Sequence, residues 1–270
     1  MKFTGNIRKM QSELGKEVNY TLPLYDILEP NYVVELNQLV GQKVRITFEN
    51  AIHCVVSGKK ITKTFGDGMS YDAFMTSPLA SPSIIRPELS RIHEGIALRD
   101  YEWEMAHHMQ PHYVYLSNTS GLKVGVTRTT QVPTRWIDQG ASQAIVLAET
   151  SYRQAAGLIE IALKDYLADK TNWQLMLKGE PVWMDLEKER DYYSNLLPED
   201  LRKWIKTDSV DTLIKYPVLT YPEKVKSLKL DSMPEIEGTL TGIKGQYLML
   251  DYSNVLNLRS HSGYRISMEY

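Results

Sequence analysis

The chain has 270 residues, 43% hydrophobic and 24% charged, which is material for one large domain or two to three small ones. No apolar run approaches the roughly 20 residues a membrane helix needs, and the opening MKFTGNIRKMQSEL lacks the apolar stretch of a signal peptide; no membrane partner and a cytoplasmic location are expected. The net charge of -2 argues against a generic polyanion binder, and a single cysteine, Cys54, excludes an internal disulfide.

Charge is distributed unevenly. Residues 105–137 contain no Asp or Glu but carry His107, His108, His112, Lys123, Arg128 and Arg135. Residues 50–66 are also free of acid and hold Lys59, Lys60 and Lys63, whereas acidic residues concentrate in 185–191. Either this segregation makes one face positive on a neutral protein, or the windows arise by chance around buried strands.

In chain order, residues 1–50 read as a β-rich region with strands at 3–10, 18–24 and 43–49, the last alternating as KVRITFE. Residues 51–92 are rich in Ser, Pro, Gly and Lys, and SPLASPSIIRP is incompatible with helix. A core region at 93–180 opens on a predicted helix, EGIALRDYEWEMAHHM, followed by a hairpin of YVYLS and LKVGVT around Ser120-Gly121. A short helix is expected over 132–138 with Pro133 in its first turn, then the strand QAIVLAET, then a helix over 152–167 with Ser151 as N-cap. Ala155, Ile159, Ala162, Leu163 and Tyr166 form the apolar stripe of that helix, and Glu160 lies beside it.

Residues 181–215 read as helical, with a charged helix over 183–197 and a shorter one opened by Pro198. Residues 216–270 read as a β-meander of IEGTLTGI, QYLML, VLNLR and YRISMEY, with a turn at Gly242-Ile243-Lys244-Gly245 whose amides could cradle an anion. The fold class expected is α+β, with terminal β-rich regions flanking the core.

The core carries Tyr115, Lys123, Gly125, Arg135, Glu160 and Asn172 in order. A tyrosine, an arginine and a carboxylate on one sheet face can hold a phosphodiester and a divalent cation together. Each residue alone also has an ordinary structural reading: strand tyrosines in a core, Arg135 paired with Asp138 or Glu160, Asn172 as a turn former. Tyr113-Val114-Tyr115, then Lys123-Val124-Gly125, then an arginine ten positions on and a glutamate in the next long helix resemble the GIY-YIG nuclease superfamily.

That resemblance spans roughly residues 112–175 and implies a small three-stranded antiparallel sheet with helices. It implies that Arg135 steadies the scissile phosphate, that Glu160 is the sole carboxylate ligand of Mg²⁺ or Mn²⁺, and that Asn172 closes the site, with Tyr115 and Gly125 at the tyrosine and glycine of the two triplets. Lys123 replaces the second tyrosine, the family's candidate for activating water, and Tyr113 stands where glycine is expected. Lysine in that slot is similar to the phage-type branches. As a general base it would need a depressed pKa; otherwise Tyr115 takes the role.

More widely, RPELSRIHEG, QPHYVYLS, GLKVGVTR, PTRWIDQGASQAIVLAET and GTLTGIKGQYL resemble an uncharacterised bacterial family in which a zinc-ribbon-like stretch precedes such a core. In its pattern Cys54, Ser57, Ser70 and Ala73 occupy ribbon cysteine positions, Ser83 and Ser90 further cysteine positions, and His93 is retained. Structural zinc requires four soft or borderline ligands, so none is expected. Residues 51–92 become a degenerate ribbon packed around Phe65, Tyr71 and Phe74. The function expected is nucleic-acid binding, to DNA or RNA, with residual metal-dependent phosphodiesterase activity. The alternative is a noncatalytic interaction or scaffold protein, favoured by Lys123, the missing cysteines and the near-neutral charge.

Overall fold

Burial alternates along Val18–Asp26, with Val18, Tyr20 and Leu22 enclosed and Asn19 exposed, as expected of a strand with one face on a core. In the computed structural model, which describes residues 1–167 and 170–270, such strands build the larger part of a mixed α+β architecture. The chain divides into two units, Met1–Met75 with Leu177–Gly179 and Lys215–Tyr270, and Thr76–Met176 with Glu180–Ile214.

The first unit contains an 11-stranded sheet. Its centre pairs Lys43–His53 with both Glu235–Lys244 and Tyr264–Glu269, and Tyr264–Glu269 in turn pairs antiparallel with Lys2–Ile7. Ile7, Leu22, Leu24, Ile46, Ile236, Leu240, Ile266 and Met268 are buried, and each such side chain contributes about 1.5–3 kcal/mol by leaving water. Gly242 is not in a turn: it lies inside Glu235–Lys244 with Val218 against it, and the hairpin closes at Gly245. Lys244 is buried, donates to the Gly179 carbonyl (3.1 Å) and lies over the rings of Tyr216 and Tyr221. The expected anion cradle is therefore a strand.

The second unit is organised on a four-stranded sheet, ordered Thr212–Leu213, Gln143–Thr150, His112–Asn118, Leu122–Arg128. Three of these strands are the expected ones; the fourth is a two-residue addition at one edge. Val114, Leu116, Val124 and Ile145 on one face pack with Ala156, Ile159 and Leu163 of the helix Arg153–Leu163. That helix starts at Arg153 with Tyr152 as N-cap and no side-chain capping bond, so Ser151 does not cap it. The helix expected from Glu94 also begins late, at Tyr101, because Gly95 takes φ +79° and the Asp100 carboxylate accepts the Trp103 amide at 2.7 Å. Among the described residues no helix is long and apolar enough to cross a membrane.

Candidate functional site

The hairpin register sets the site. Tyr115 stands opposite Gly125, Ser117 opposite Lys123 and Tyr113 opposite Thr127, so these six share the face away from Val114, Leu116 and Val124. Tyr115 is fully buried, and its ring lies directly on Gly125: a Cβ there would sit 2.6 Å from the phenol oxygen and 2.7 Å from Cζ. Only glycine lets the phenol cross Leu122–Arg128, the edge strand of the sheet.

The helix Thr134–Asp138 follows that strand and delivers Arg135. The Tyr115 hydroxyl donates to Gln139 Oε1 at 3.0 Å, and Arg135 is close enough to pull the phenol's pKa down. Trp136 meets the Tyr115 ring edge-on, centroids 6.1 Å apart. Glu160 arrives from the helix that covers the hydrophobic face. There Ala156, Ile159 and Leu163 point to the core, while Arg153, Gly157 and Glu160 form the neighbouring stripe. Gly157 is needed because the backbone of Pro87 and Glu88 abuts it, with Glu88 N 2.3 Å from where a Cβ would be. The Glu160 carboxylate is close enough to act electrostatically on both the Tyr115 phenol and the Arg153 guanidinium.

Burial raises the Tyr115 pKa, and Glu160 adds to this, against the opposing pull of Arg135 and Gln139. The phenol therefore keeps its proton near neutral pH, which suits it to hydrogen bonding and positioning rather than to abstracting a proton. Arg153 is enclosed, donating from Nε to the Ser83 carbonyl (2.8 Å) and from Nη2 to the Ile84 carbonyl (3.0 Å). Its pKa falls to about 10, first from burial; Glu160 opposes the fall, and Arg135 and Arg128 add to it. Positive potential extends to the imidazoles nearby. Burial first, then Arg153, pushes His108 down to about 3 and His112 down to about 4.

Of the five residues singled out by sequence, Arg135 and Glu160 both act electrostatically on Tyr115. Lys123 is buried on the Tyr115 face, one rung along and opposite Ser117. Asn172 sits at the start of Trp173–Leu177, where its Oδ1 accepts the Leu175 amide (3.2 Å) and its own amide donates to Ser120 Oγ (2.9 Å). Sequence reasoning missed Gln139, Arg153 and Arg128. Gln139 and Arg153 carried a readable signal, since Gln139 follows Arg135 by four positions and Arg153 precedes Glu160 by seven, the spacings of one helix face.

Two other places hold polar chemistry. A cleft of about 420 Å³ is lined in part by Lys203, Trp204 and Lys206, but it lies along Gln143–Thr150 rather than at Tyr115. Lys206 there is paired with Glu149 (3.4 Å) and Asp208 (3.3 Å) and offers no surplus charge. In the first unit, buried Cys54 Sγ accepts the amides of Ser57 (3.4 Å) and Ser70 (3.2 Å). Burial raises this thiol, but hydrogen bonding by Ser57 and Ser70 outweighs it and brings the pKa down to about 6. Phe65 meets Tyr71 and Phe74 at 5.2 and 6.2 Å. Among the described residues no group of three or more His, Cys, Asp or Glu side chains is arranged to hold a metal ion.

A family model described as "Protein of unknown function (DUF2797)" matches residues 41–266. No curated protein and no solved structure matches the chain.

Proposed function

The chain belongs to that family of unknown function, and from this premise we propose that its second unit is a GIY-YIG-like module that binds nucleic acid through a phosphate held at Tyr115 and Arg135. The observation that carries this reading is the phenol lying across Gly125, with Arg135 close enough to act on it. The tyrosine and glycine of two sequence triplets thus meet atom to atom, in register, beside an arginine from the following helix.

Arg135 presents the planar fork that suits phosphate oxygens, and a charge-assisted bond of this kind is roughly twice as strong as a neutral one. Tyr115 fixes one edge of that fork, and Gln139 fixes the phenol. Glu160 supplies one hard oxygen ligand, which suits Mg²⁺ or Mn²⁺ recruited together with waters and substrate oxygens rather than held by a protein cage. Such an ion would neutralise developing charge on the phosphoryl group. Lys123 remains the candidate on the Tyr115 face for contacting the attacking water.

Cleavage of single-stranded, duplex and structured DNA and RNA with Mg²⁺ or Mn²⁺, run beside Glu160→Ala and Arg135→Ala, tests the catalytic half. The expected result is cleavage that both variants abolish. If wild type cuts nothing, binding alone remains, and a salt-independent gel shift would remove that too. The second reading, a noncatalytic interaction protein, is favoured by Lys123 in place of the second tyrosine, by the cysteines absent from the ribbon positions and by the near-neutral net charge.

A further inference from the structure

The cleft along Gln143–Thr150 has a firmly held aromatic wall. Residues 204–206 run beside the edge of that strand not paired with His112–Asn118: the Glu149 amide donates to the Trp204 carbonyl and the Lys206 amide to the Leu147 carbonyl, both at 2.9 Å, and Ala148 bridges Ile205. Trp204 is thereby pinned through its backbone. Behind it the Tyr152 ring stands edge-on, with centroids 6.3 Å apart and planes at 87°, and Tyr152 is itself stacked on His93 at 4.4 Å. The indole is half-buried, and the exposed side chain of Lys203 crosses it with its ammonium 5.3 Å from the ring centroid. A rigid aromatic surface of this kind binds another flat ring without first having to be ordered. Base–aromatic stacking is stronger than an exposed cation–π contact, so a heteroaromatic ring can displace Lys203 from the indole.

The polar rim narrows the choice of ring. Glu149 (3.4 Å) and Asp208 (3.3 Å) share a single lysine, Lys206, and both acids line the cleft. Ionised carboxylates only accept hydrogen bonds, so the ligand edge that meets them must donate. The volume of about 420 Å³ lies toward the lower end of ligand pockets, roughly 300–1,000 Å³, and suits one nucleotide better than a dinucleotide. We propose that this cleft binds a purine nucleotide, with the base stacked on Trp204, an amino group of the base donating to Glu149 or Asp208, and the phosphate met by the displaced Lys203 ammonium. The base arrives either on a free mononucleotide or unpaired in a single strand, and the chemistry of recognition is the same. All of these residues belong to the second unit. The proposal does not rest on the phosphate reading at Tyr115, which invokes charge where this cleft uses stacking.

Calorimetric titration of the full chain with AMP, GMP, UMP and adenosine tests this. One of the two purine nucleotides is expected to bind saturably, one per chain, at least about tenfold tighter than UMP, which has less ring to stack and no exocyclic amino group. Trp204→Leu should weaken that binding about tenfold or more and Trp204→Phe much less. Lys203→Gln, an exposed change that leaves the fold intact, should bring AMP down to the affinity of adenosine. Competition identifies the source: an unpaired oligo(dA) strand that displaces the nucleotide, where its duplex does not, makes the ligand a single strand, and no displacement makes it a free nucleotide. Absence of saturable binding by every nucleotide and by the strand overturns the proposal, as does binding that Trp204→Leu and Lys203→Gln both leave unchanged. Oligonucleotide binding abolished by Arg135→Ala but untouched by Trp204→Leu sinks the cleft and keeps the phosphate reading; the reverse pattern keeps the cleft and sinks that reading.

Discussion

The Cys54 hub of the first unit and the Tyr115 cluster of the second both bury polar chemistry, and they satisfy it in opposite ways. Cys54 accepts the amides of two nearby serines, so its partial or full negative charge is met by the chain's own donors. Around Tyr115 a fully buried phenol is acted on by a guanidinium, Arg135, and a carboxylate, Glu160. A closed set of local donors stabilises a fold and offers nothing to a ligand, whereas charged side chains at a buried phenol are chemistry a ligand can use. The contrast marks the Tyr115 cluster, rather than the Cys54 hub, as the candidate for a ligand.

The largest expected effect is at Gly125. A methyl there would meet the Tyr115 phenol at 2.6 Å, and the ring cannot yield without leaving Arg135 and Gln139. Overpacking of this kind costs typically about 1–3 kcal/mol, and the loss of the phenol bonds adds to it. Gly125→Ala should therefore lower the denaturant midpoint and abolish nucleic-acid binding together. Binding that survives unchanged in a folded Gly125→Ala protein would break the comparison, because the Tyr115 cluster would then not be the site.

The second effect belongs to the hub. Cys54→Ala removes the acceptor shared by the Ser57 and Ser70 amides, two part-buried bonds of about 0.5–1.5 kcal/mol each, and should leave binding at the Tyr115 cluster unchanged. The converse change, Ser57→Cys with Ser70→Cys and Ala73→Cys, places thiols where two backbone turns already converge on one sulfur. We expect one tightly bound zinc per chain in metal analysis of the purified triple variant and a higher thermal midpoint. A triple variant that purifies without zinc would show that Cys54, Ser57, Ser70 and Ala73 do not form a tetrahedral set.

How much of this could be read from sequence differs between the regions for a physical reason. Alternating burial in strands such as Lys43–His53 and Tyr264–Glu269 leaves a period-two signature, and the hairpin of His112–Asn118 with Leu122–Arg128 is signalled by both its strands and its Ser120-Gly121 turn. Tyr115, Arg135 and Glu160 stood out because their order and spacing resemble a known motif. Arg153 carried only its seven-residue spacing to Glu160, and Arg128 carried no such signal, because which charges meet is a property of three-dimensional neighbours. The pairing of Lys2–Ile7 with Tyr264–Glu269 joins residues some 260 positions apart in sequence, and no local pattern encodes that. Helix starts were misread at Ser151 and before Tyr101 because capping depends on which side chain reaches an amide, a matter of one or two residues.

Acidification should distinguish the regions by the pH at which each loses stability. Cys54 has its pKa lowered from 9.0 to about 6 by hydrogen bonds, so the unfolded chain binds more protons between those values. Its contribution is full above about pH 9 and is lost as pH falls through 6. His108 and His112, lowered from 6.5 to about 3 and about 4, contribute fully above about pH 6.5 and lose that contribution as pH falls through the two lower values. Hydrogen exchange followed by region should show the residues around Cys54 loosening first, between pH 9 and 6. Those around His108 and His112 should loosen later, below 6.5. Cys54→Ala should flatten only the first phase; simultaneous loosening of both regions would show that the two titrations are not separate.

The smallest expected effect is at Asn172, whose side chain accepts the Leu175 amide at the start of a five-residue helix. Replacing such a cap by alanine costs about 0.5–2 kcal/mol, and the short, partly exposed helix places the expectation at the lower end. The amide bond from Asn172 to Ser120 Oγ uses the backbone and survives the substitution. Asn172→Ala should therefore shift the midpoint slightly and leave nucleic-acid affinity and its salt dependence unchanged, since no phosphate contact is removed. If affinity falls while the midpoint holds, Asn172 acts on the ligand as the superfamily resemblance implies, and the boundary between structural and binding residues in the second unit moves to include it.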